Sequence, residues 1–277
     1  MKDSLKKKIN LATVSLFTLG TLSFSAPALA APTGGSLLPD EGFAQPAIED
    51  AFLPPVSLPK DISDTAADPY YTWAYQDIVD MLSLKAMKGY PDGTFRPDQA
   101  ITRGELAQAI SGALYLPKAK IVDLPDVSKD YWAAQAISNA LPYLATYPDG
   151  SFRPESPATR EEVAVALVKA TGQEKSLVSP SSLDVIFTDA KSVSSDLKGL
   201  VATAVDKKLI KGYTKADEKG TYVAASEMTD SYGDTIAADG KYSLNIRAQD
   251  FLTRAELANS LNNARENSTL GYKTLNK

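Results

Sequence analysis

The chain contains no cysteine and no histidine in its 277 residues. The first absence removes disulfides, thiol nucleophiles and thiolate metal sites. The second removes the imidazole base and the usual hydrolytic triads. Without either residue nearly every zinc site is excluded too. An enzyme would have to work through carboxylates, and no Asp/Glu pair stands apart from the rest of the sequence. No catalytic residue, metal site or cofactor is expected. An excess of positive charge is also lacking, with 29 Lys and Arg against 34 Asp and Glu and a net charge of −5. A general basic field for nucleic acid or an anionic bilayer is thereby excluded. Any anionic ligand must be captured at local cationic sites.

Long apolar runs are scarce. The one near the N-terminus, Ile9 to Phe24, follows Lys2, Lys6, Lys7 and Lys8 and precedes Ala28-Leu29-Ala30. This order predicts a signal peptide over residues 1–30, cleaved after Ala30. The run is short for a membrane span, and no transmembrane segment is expected in the mature chain. No cysteine follows for a lipid anchor. Cleavage removes four lysines and one aspartate and moves the net charge from −5 to −8. Residues 31–67 carry Pro32, Pro39, Pro46, Pro54, Pro55 and Pro59 without a sustained period, the composition of a semi-rigid linker.

What the chain does have is repetition. Thr-Arg-x-Glu occurs at Thr102-Arg103-Gly104-Glu105, Thr159-Arg160-Glu161-Glu162 and Thr253-Arg254-Ala255-Glu256, each opening an apolar helical pattern. Tyr90-Pro91-Asp92-Gly93-Thr94-Phe95-Arg96-Pro97 precedes the first copy and Tyr147-Pro148-Asp149-Gly150-Ser151-Phe152-Arg153-Pro154 the second, 57 positions on. Trp73-Ala74 and Trp132-Ala133 open a helix ahead of each loop, the first of which ends at Gly89, a natural C-terminal residue. The third copy has no Trp and keeps Lys211-Gly212-Tyr213. It loses the PDGxFRP loop: 41 positions separate Tyr213 from Arg254, against 13 from Tyr90 to Arg103. The expected division is repeat one over 68–116, repeat two over 122–172 and repeat three over 185–265, followed by a polar tail over 266–277. Repeat three carries an insert at about 214–245, for which a β-hairpin pairing Thr221–Ala225 with Tyr242–Ile246 is predicted. The insert is Asp-rich, but its spacing matches no calcium loop.

Thr-x-x-Glu before an apolar run is a capping box, which accounts for the Thr and the Glu. It does not account for Arg103, Arg160 and Arg254 at the first helical position, where a cation opposes the helix dipole at a cost of up to about 1 kcal/mol. Two readings stand. Arginine and free helix N–H groups together could hold a carboxylate or phosphate, or each arginine could pair with an acid of a neighbouring lobe. Trp73 and Trp132 divide likewise between core packing and stacking on a sugar ring. Arg96 and Arg153 are expected to pair with Asp98 and Glu155.

Together these residues resemble the S-layer homology (SLH) domain proteins, with three tandem SLH repeats. The resemblance implies an all-α domain of three helix-loop-helix repeats in a pseudo-threefold, three-lobed arrangement. It implies secretion and non-covalent anchoring at the cell wall or S-layer, through a secondary cell wall polysaccharide that often carries a pyruvylated amino sugar. Carried over by position, the ligand-binding candidates are Arg103, Arg160 and Arg254, with Asp68, Trp73, Gly89 and Tyr90 from repeat one. Asp126, Trp132 and Tyr147 follow from repeat two, and Asp189, Lys211 and Gly212 from repeat three. Thr146 replaces the glycine of repeat two, so at least one groove is expected to be impaired, and the one using repeat-one residues to be the most complete. The alternative function is surface-layer assembly, with other surface proteins as partners.

Overall fold

The three Thr-x-x-Glu segments fold as capping boxes in the computed structural model, which describes residues 56–68, 70, 73–213, 222–223 and 244–268. In each, the Thr hydroxyl accepts from the Glu backbone N–H and the Glu carboxylate accepts from the Thr N–H. The helices that follow are α2 (Arg103–Ala113), α4 (Arg160–Ala170) and α7 (Arg254–Asn267). Each of the three arginines occupies the first helical position. The signal-peptide segment, nearly all of the insert and the last nine residues fall outside the described residues.

Three helices precede them: α1 (Tyr75–Ser83), α3 (Ala134–Ala140) and α6 (Lys198–Asp206), with the short α5 (Ser181–Ile186) ahead of α6. Helix α1 stops before Gly89, because Lys85 takes φ 55° and turns Ala86 and Met87 into the core. Gly89 therefore lies beyond the helix rather than capping it.

The first helix of each segment packs on the second helix of the segment before it. Helix α3 lies against α2, α6 against α4, and α1 against α7, which closes the chain on itself. Hydrogen bonds follow the same cycle. Ala158 N–H donates to Ile101 C=O (2.9 Å), Leu252 N–H to Ala158 C=O (3.1 Å), and Ile101 N–H to Leu252 C=O (2.9 Å). All three residues are fully buried, so the triangle satisfies backbone groups that water does not reach.

Sheet structure is minimal among the described residues. Strand β1 (Gly212–Tyr213) pairs antiparallel with β2 (Tyr222–Val223), and Tyr213 also bridges to Asn245. Of the expected hairpin, the described residues Tyr222–Val223 and Asn245 each pair with Gly212–Tyr213. No described helix is long and apolar enough to cross a membrane.

The first segment begins earlier than its motifs indicate. Asp126 accepts from Phe152 and Arg153 N–H, and Asp189 accepts from Ile246 and Arg247 N–H. The residue with this role in the first segment is Asp61, which accepts from Phe95 and Arg96 N–H at 2.7 Å each. Asp68 instead accepts from Ser63 and Tyr70 N–H, holding a local turn. Six additional residues lie between Asp61 and Trp73, and Asp68 falls five positions before Trp73, close to the six that separate Asp126 from Trp132. Ile62 is buried at 3% exposure, so the end of the expected linker is part of the folded body. Asp61→Ala is expected to cost about 1–2 kcal/mol, since two charge-assisted bonds are lost at a partly exposed site. Asp68→Ala should cost less than half of that in the same urea titrations.

Candidate functional site

Arg103, Arg160 and Arg254 are among the most buried side chains, at 2%, 1% and 3% exposure. A buried guanidinium must be hydrogen-bonded, and each is bonded in the same way to the next segment. Arg103 donates from Nε to Phe152 C=O (2.8 Å), from Nη1 to Glu162 (2.8 Å) and from Nη2 to Ala145 C=O (2.6 Å). Arg160 donates to Ile246 C=O, Glu256 and Lys211 C=O. Arg254 completes the cycle through Phe95 C=O, Glu105 and Lys88 C=O. Each acid is the capping-box Glu of the neighbouring segment, so one carboxylate closes a helix cap and pairs an arginine at once.

The helix N-termini are equally engaged. Arg103 and Gly104 N–H donate to Ser156 and Pro154 C=O, Arg160 and Glu161 N–H to Asp250 and Ala248 C=O, and Arg254 and Ala255 N–H to Gln99 and Pro97 C=O. These N–H groups are turned into contacts between segments rather than presented to a ligand.

Tyrosine links the buried arginine to a second one. Arg254 lies 4.9 Å from the Tyr90 ring centre and Arg96 3.9 Å. Arg103 and Arg153 flank Tyr147 at 5.0 and 3.8 Å, and Arg160 and Arg247 flank Tyr213 at 4.7 and 4.0 Å. Arg96, Arg153 and Arg247 all have φ between 50 and 58°, a strained region for a side-chain-bearing residue, held by the aspartate bonds described above. Arg96 and Arg153 pair with Asp92 and Asp149, while Glu155 accepts from Tyr131. The expected partners Asp98 and Glu155 are not used because the tight Asp-Gly turn brings Asp92 and Asp149 back over the loop. Arg247 shows that the third segment keeps the loop arginine without its Pro-Asp-Gly. The signal was available: in each copy this arginine precedes the Thr-Arg-x-Glu arginine by seven positions.

The three junctions are unequal. At the first, Arg254 meets Lys88-Gly89-Tyr90; at the second, Arg103 meets Ala145-Thr146-Tyr147; at the third, Arg160 meets Lys211-Gly212-Tyr213. An open cleft of about 320 Å³, including the solvent at its mouth, lies at the first. It is lined by Met87, Lys88, Glu105, Gln108, Arg254 and, from the second segment, Trp132. Trp132 is 58% exposed, whereas Trp73 is half-buried against the core. The two tryptophans therefore answer the sequence ambiguity differently. Lys88 and Gln108 were not singled out from sequence, although Lys88 precedes Gly-Tyr as Lys211 does.

Burial separates the acids. The Glu162 side chain is 30% exposed and Glu105 20%, but Glu256 is only 4% exposed. Burial pushes the Glu256 carboxyl up and Arg160 opposes it, while burial pushes Arg254 down and Glu105 opposes that. Tyr90 donates its hydroxyl to Glu105 at 2.9 Å.

Residues 67–107 and 123–164 match the S-layer homology domain family. The chain is 31% identical over 152 residues to cell surface glycoprotein 1 of Acetivibrio thermocellus, covering 48% of this chain and 6% of that protein. It is 31% identical over 139 residues to the cellulosome-anchoring protein of the same organism, covering 46% and 30%. It is 32% identical over 130 residues to the surface layer protein of Brevibacillus choshinensis, covering 43% and 12%. The chain thus spans less than a third of each of these relatives.

Proposed function

We propose that this protein anchors at the cell surface by binding an acidic wall glycan at the junctions between its segments, without making or breaking a covalent bond. The observation that carries the reading is the cleft at the first junction, where an exposed indole, an ammonium and a guanidinium converge. Such a set fits a sugar bearing a carboxylate: the ring stacks on Trp132, and Lys88 and Arg254 face the charge. The matched S-layer homology family and the names of two relatives, a cellulosome-anchoring protein and a surface layer protein, support the same reading.

In this reading the ligand is a secondary cell wall polysaccharide, its carboxylate supplied by a pyruvate ketal. The segment from about residue 185 to 265 is a third, divergent SLH repeat, and the whole forms a pseudo-threefold, three-lobed domain. The chain is exported by its N-terminal signal and held at the wall. Gly89 and Tyr90 follow Lys88 at the first junction, Asp126 and Asp189 hold the loops behind the other junctions, and Tyr147, Lys211 and Gly212 border those junctions.

A second reading, assembly with other surface-layer proteins, is favoured by the arginines being bonded within the chain. Co-sedimentation with purified wall preparations, before and after mild-acid removal of ketal pyruvate, separates the two. Saturable binding that weakens at least about tenfold after removal is expected. Equal binding before and after would sink carboxylate capture, and no binding to either would leave the assembly reading.

A further inference from the structure

The chain enters the folded body beside the first junction. Pro59 is buried, and its Cγ lies 3.9 Å from the position that a Cβ on Gly89 would take. Lys60 N–H donates to Gly93 C=O at 2.9 Å, and Asp61 accepts from Phe95 and Arg96 N–H. Residues 59–61 are therefore fixed along the loop that follows Lys88. Whatever precedes Pro59 is tethered one residue away from that cleft-lining lysine.

The sequence ahead of this tether is acidic and partly apolar. From residue 31 to 59 it holds Asp40, Glu41, Glu49 and Asp50 and no lysine or arginine. Ile48-Glu49-Asp50-Ala51-Phe52-Leu53 sets two carboxylates beside an aromatic ring and two large aliphatic side chains. A spacer that stays in water is normally poor in aromatic and branched residues.

The cleft offers the complement. Its lining includes two cations, Lys88 and Arg254, and one acid, Glu105. Glu105 is already paired with Arg254 at 2.9 Å, so Lys88 carries the uncompensated charge of the lining. Lys88 is exposed, and Arg254 Nη2 donates to its carbonyl oxygen, which fixes its backbone at the cleft edge. Met87 and the 58% exposed Trp132 supply apolar surface beside it.

We infer that residues 48–53 dock in the first-junction cleft of their own chain, as a tethered acidic competitor of the wall glycan. The competition rests on the function proposed above; the docking does not. In the docked state the Glu49 and Asp50 carboxylates face Lys88 and the Phe52 ring packs on Trp132. The six residues from Leu53 to Pro59 reach up to about 20 Å, enough to return to a cleft that starts beside Pro59. With Pro54 and Pro55 in the tether, fewer conformations are lost on docking. At an effective concentration of about 1 mM, a contact with a Kd of about 0.3 mM fills the cleft roughly three quarters of the time and weakens a competing ligand about fourfold. Such a contact sets a threshold: dense wall polysaccharide displaces the segment, whereas dilute soluble glycan does not.

Acrylamide quenching of Trp132 fluorescence tests the docking. The chain has two tryptophans, so Trp73→Phe in both proteins leaves Trp132 as the reporter. Combining Glu49→Gln, Asp50→Asn and Phe52→Ala in the full chain is expected to raise the quenching constant at least about twofold, equally across about a hundredfold range of protein concentration. Equal quenching with and without the three substitutions overturns the docking, whatever the wall binding. A difference confined to the higher concentrations assigns the cleft to the segment of a second copy and overturns the contact within one chain. In co-sedimentation the triple variant should bind wall preparations about fourfold more tightly. Raised quenching with equal wall binding overturns the competition. Raised quenching with no wall binding by either protein overturns the glycan reading and leaves the docking standing.

Discussion

Replacing Arg160 by alanine is expected to lower the unfolding free energy by about 3–5 kcal/mol, the range for breaking a buried pair by deleting one partner. Glu256, 4% exposed, would be left as a buried carboxylate without its guanidinium. Ile246 and Lys211 C=O would lose their donors and the Tyr213 ring one of its cations. At about 2–4 °C per kcal/mol for a body of this size, the melting temperature should fall by roughly 6–20 °C. Arg103→Ala should cost less, because its partner Glu162 is 30% exposed and water can replace part of what is lost. Adding Glu256→Gln to Arg160→Ala should recover about 1 kcal/mol or more, since a buried amide is less costly than a buried carboxylate and still caps α7. Urea unfolding of the single and double variants checks both figures. An Arg160→Ala protein as stable as its parent would mean that the ring of arginine contacts does not hold the segments together.

Trp132→Ala should act on the opposite property. A solvent-exposed indole contributes little to stability, so its removal should change the unfolding free energy by less than about 0.5 kcal/mol. As the aromatic anchor of the cleft it should carry about 2 kcal/mol of binding, a loss of roughly 30-fold in wall affinity. Trp73→Ala is the internal comparison. That ring packs on the core, and its truncation should destabilise by about 2–3 kcal/mol while affecting wall binding less. Sedimentation isotherms and thermal melts of the two variants should therefore show opposite patterns. Identical behaviour would remove the distinction between an exposed, ligand-facing tryptophan and a packed one.

The helices and caps were legible because their signals are local. Thr102 and Glu105 lie three positions apart, and no tertiary knowledge is needed to see that they meet. The placement of Arg103 at the first helical position followed from the same box, as did the puzzle of a cation there. Its partner was not legible, since Glu162 lies 59 positions away and is chosen by how segments pack, not by spacing. For the same reason the set of residues around one arginine could not be assembled repeat by repeat. Arg254 of the third segment faces Lys88 and Tyr90 of the first, with Trp132 of the second beside them. Grouping residues by repeat pairs Arg103 with Gly89 and Tyr90, whereas the fold sets it against Ala145, Thr146 and Tyr147.

Two further differences have simple causes. Asp61 escaped notice because the extra residues before Trp73 bring Asp68 within one position of the spacing that Asp126 has from Trp132. Arg247 escaped because its Pro-Asp-Gly turn is gone, although Asn245-Ile246-Arg247 keeps the geometry of Thr94-Phe95-Arg96 around the Asp189 carboxylate. A motif is read as letters, but what persists here is a hydrogen-bonding plan. The exposed Trp132 and buried-edge Trp73 make the complementary point: identical letters in identical motifs acquire different surroundings.

If the buried Arg160 holds the segments together and the Lys88–Trp132 cleft holds the glycan, the two roles separate by mutation. The most direct test is wall binding of Arg160→Ala and Trp132→Ala, measured side by side at a temperature below both melting transitions. The predicted result is that Arg160→Ala binds wall preparations within about twofold of the parent despite its lowered melting temperature, while Trp132→Ala melts like the parent and binds roughly 30-fold more weakly. Loss of binding in folded Arg160→Ala, with binding retained in Trp132→Ala, would contradict it.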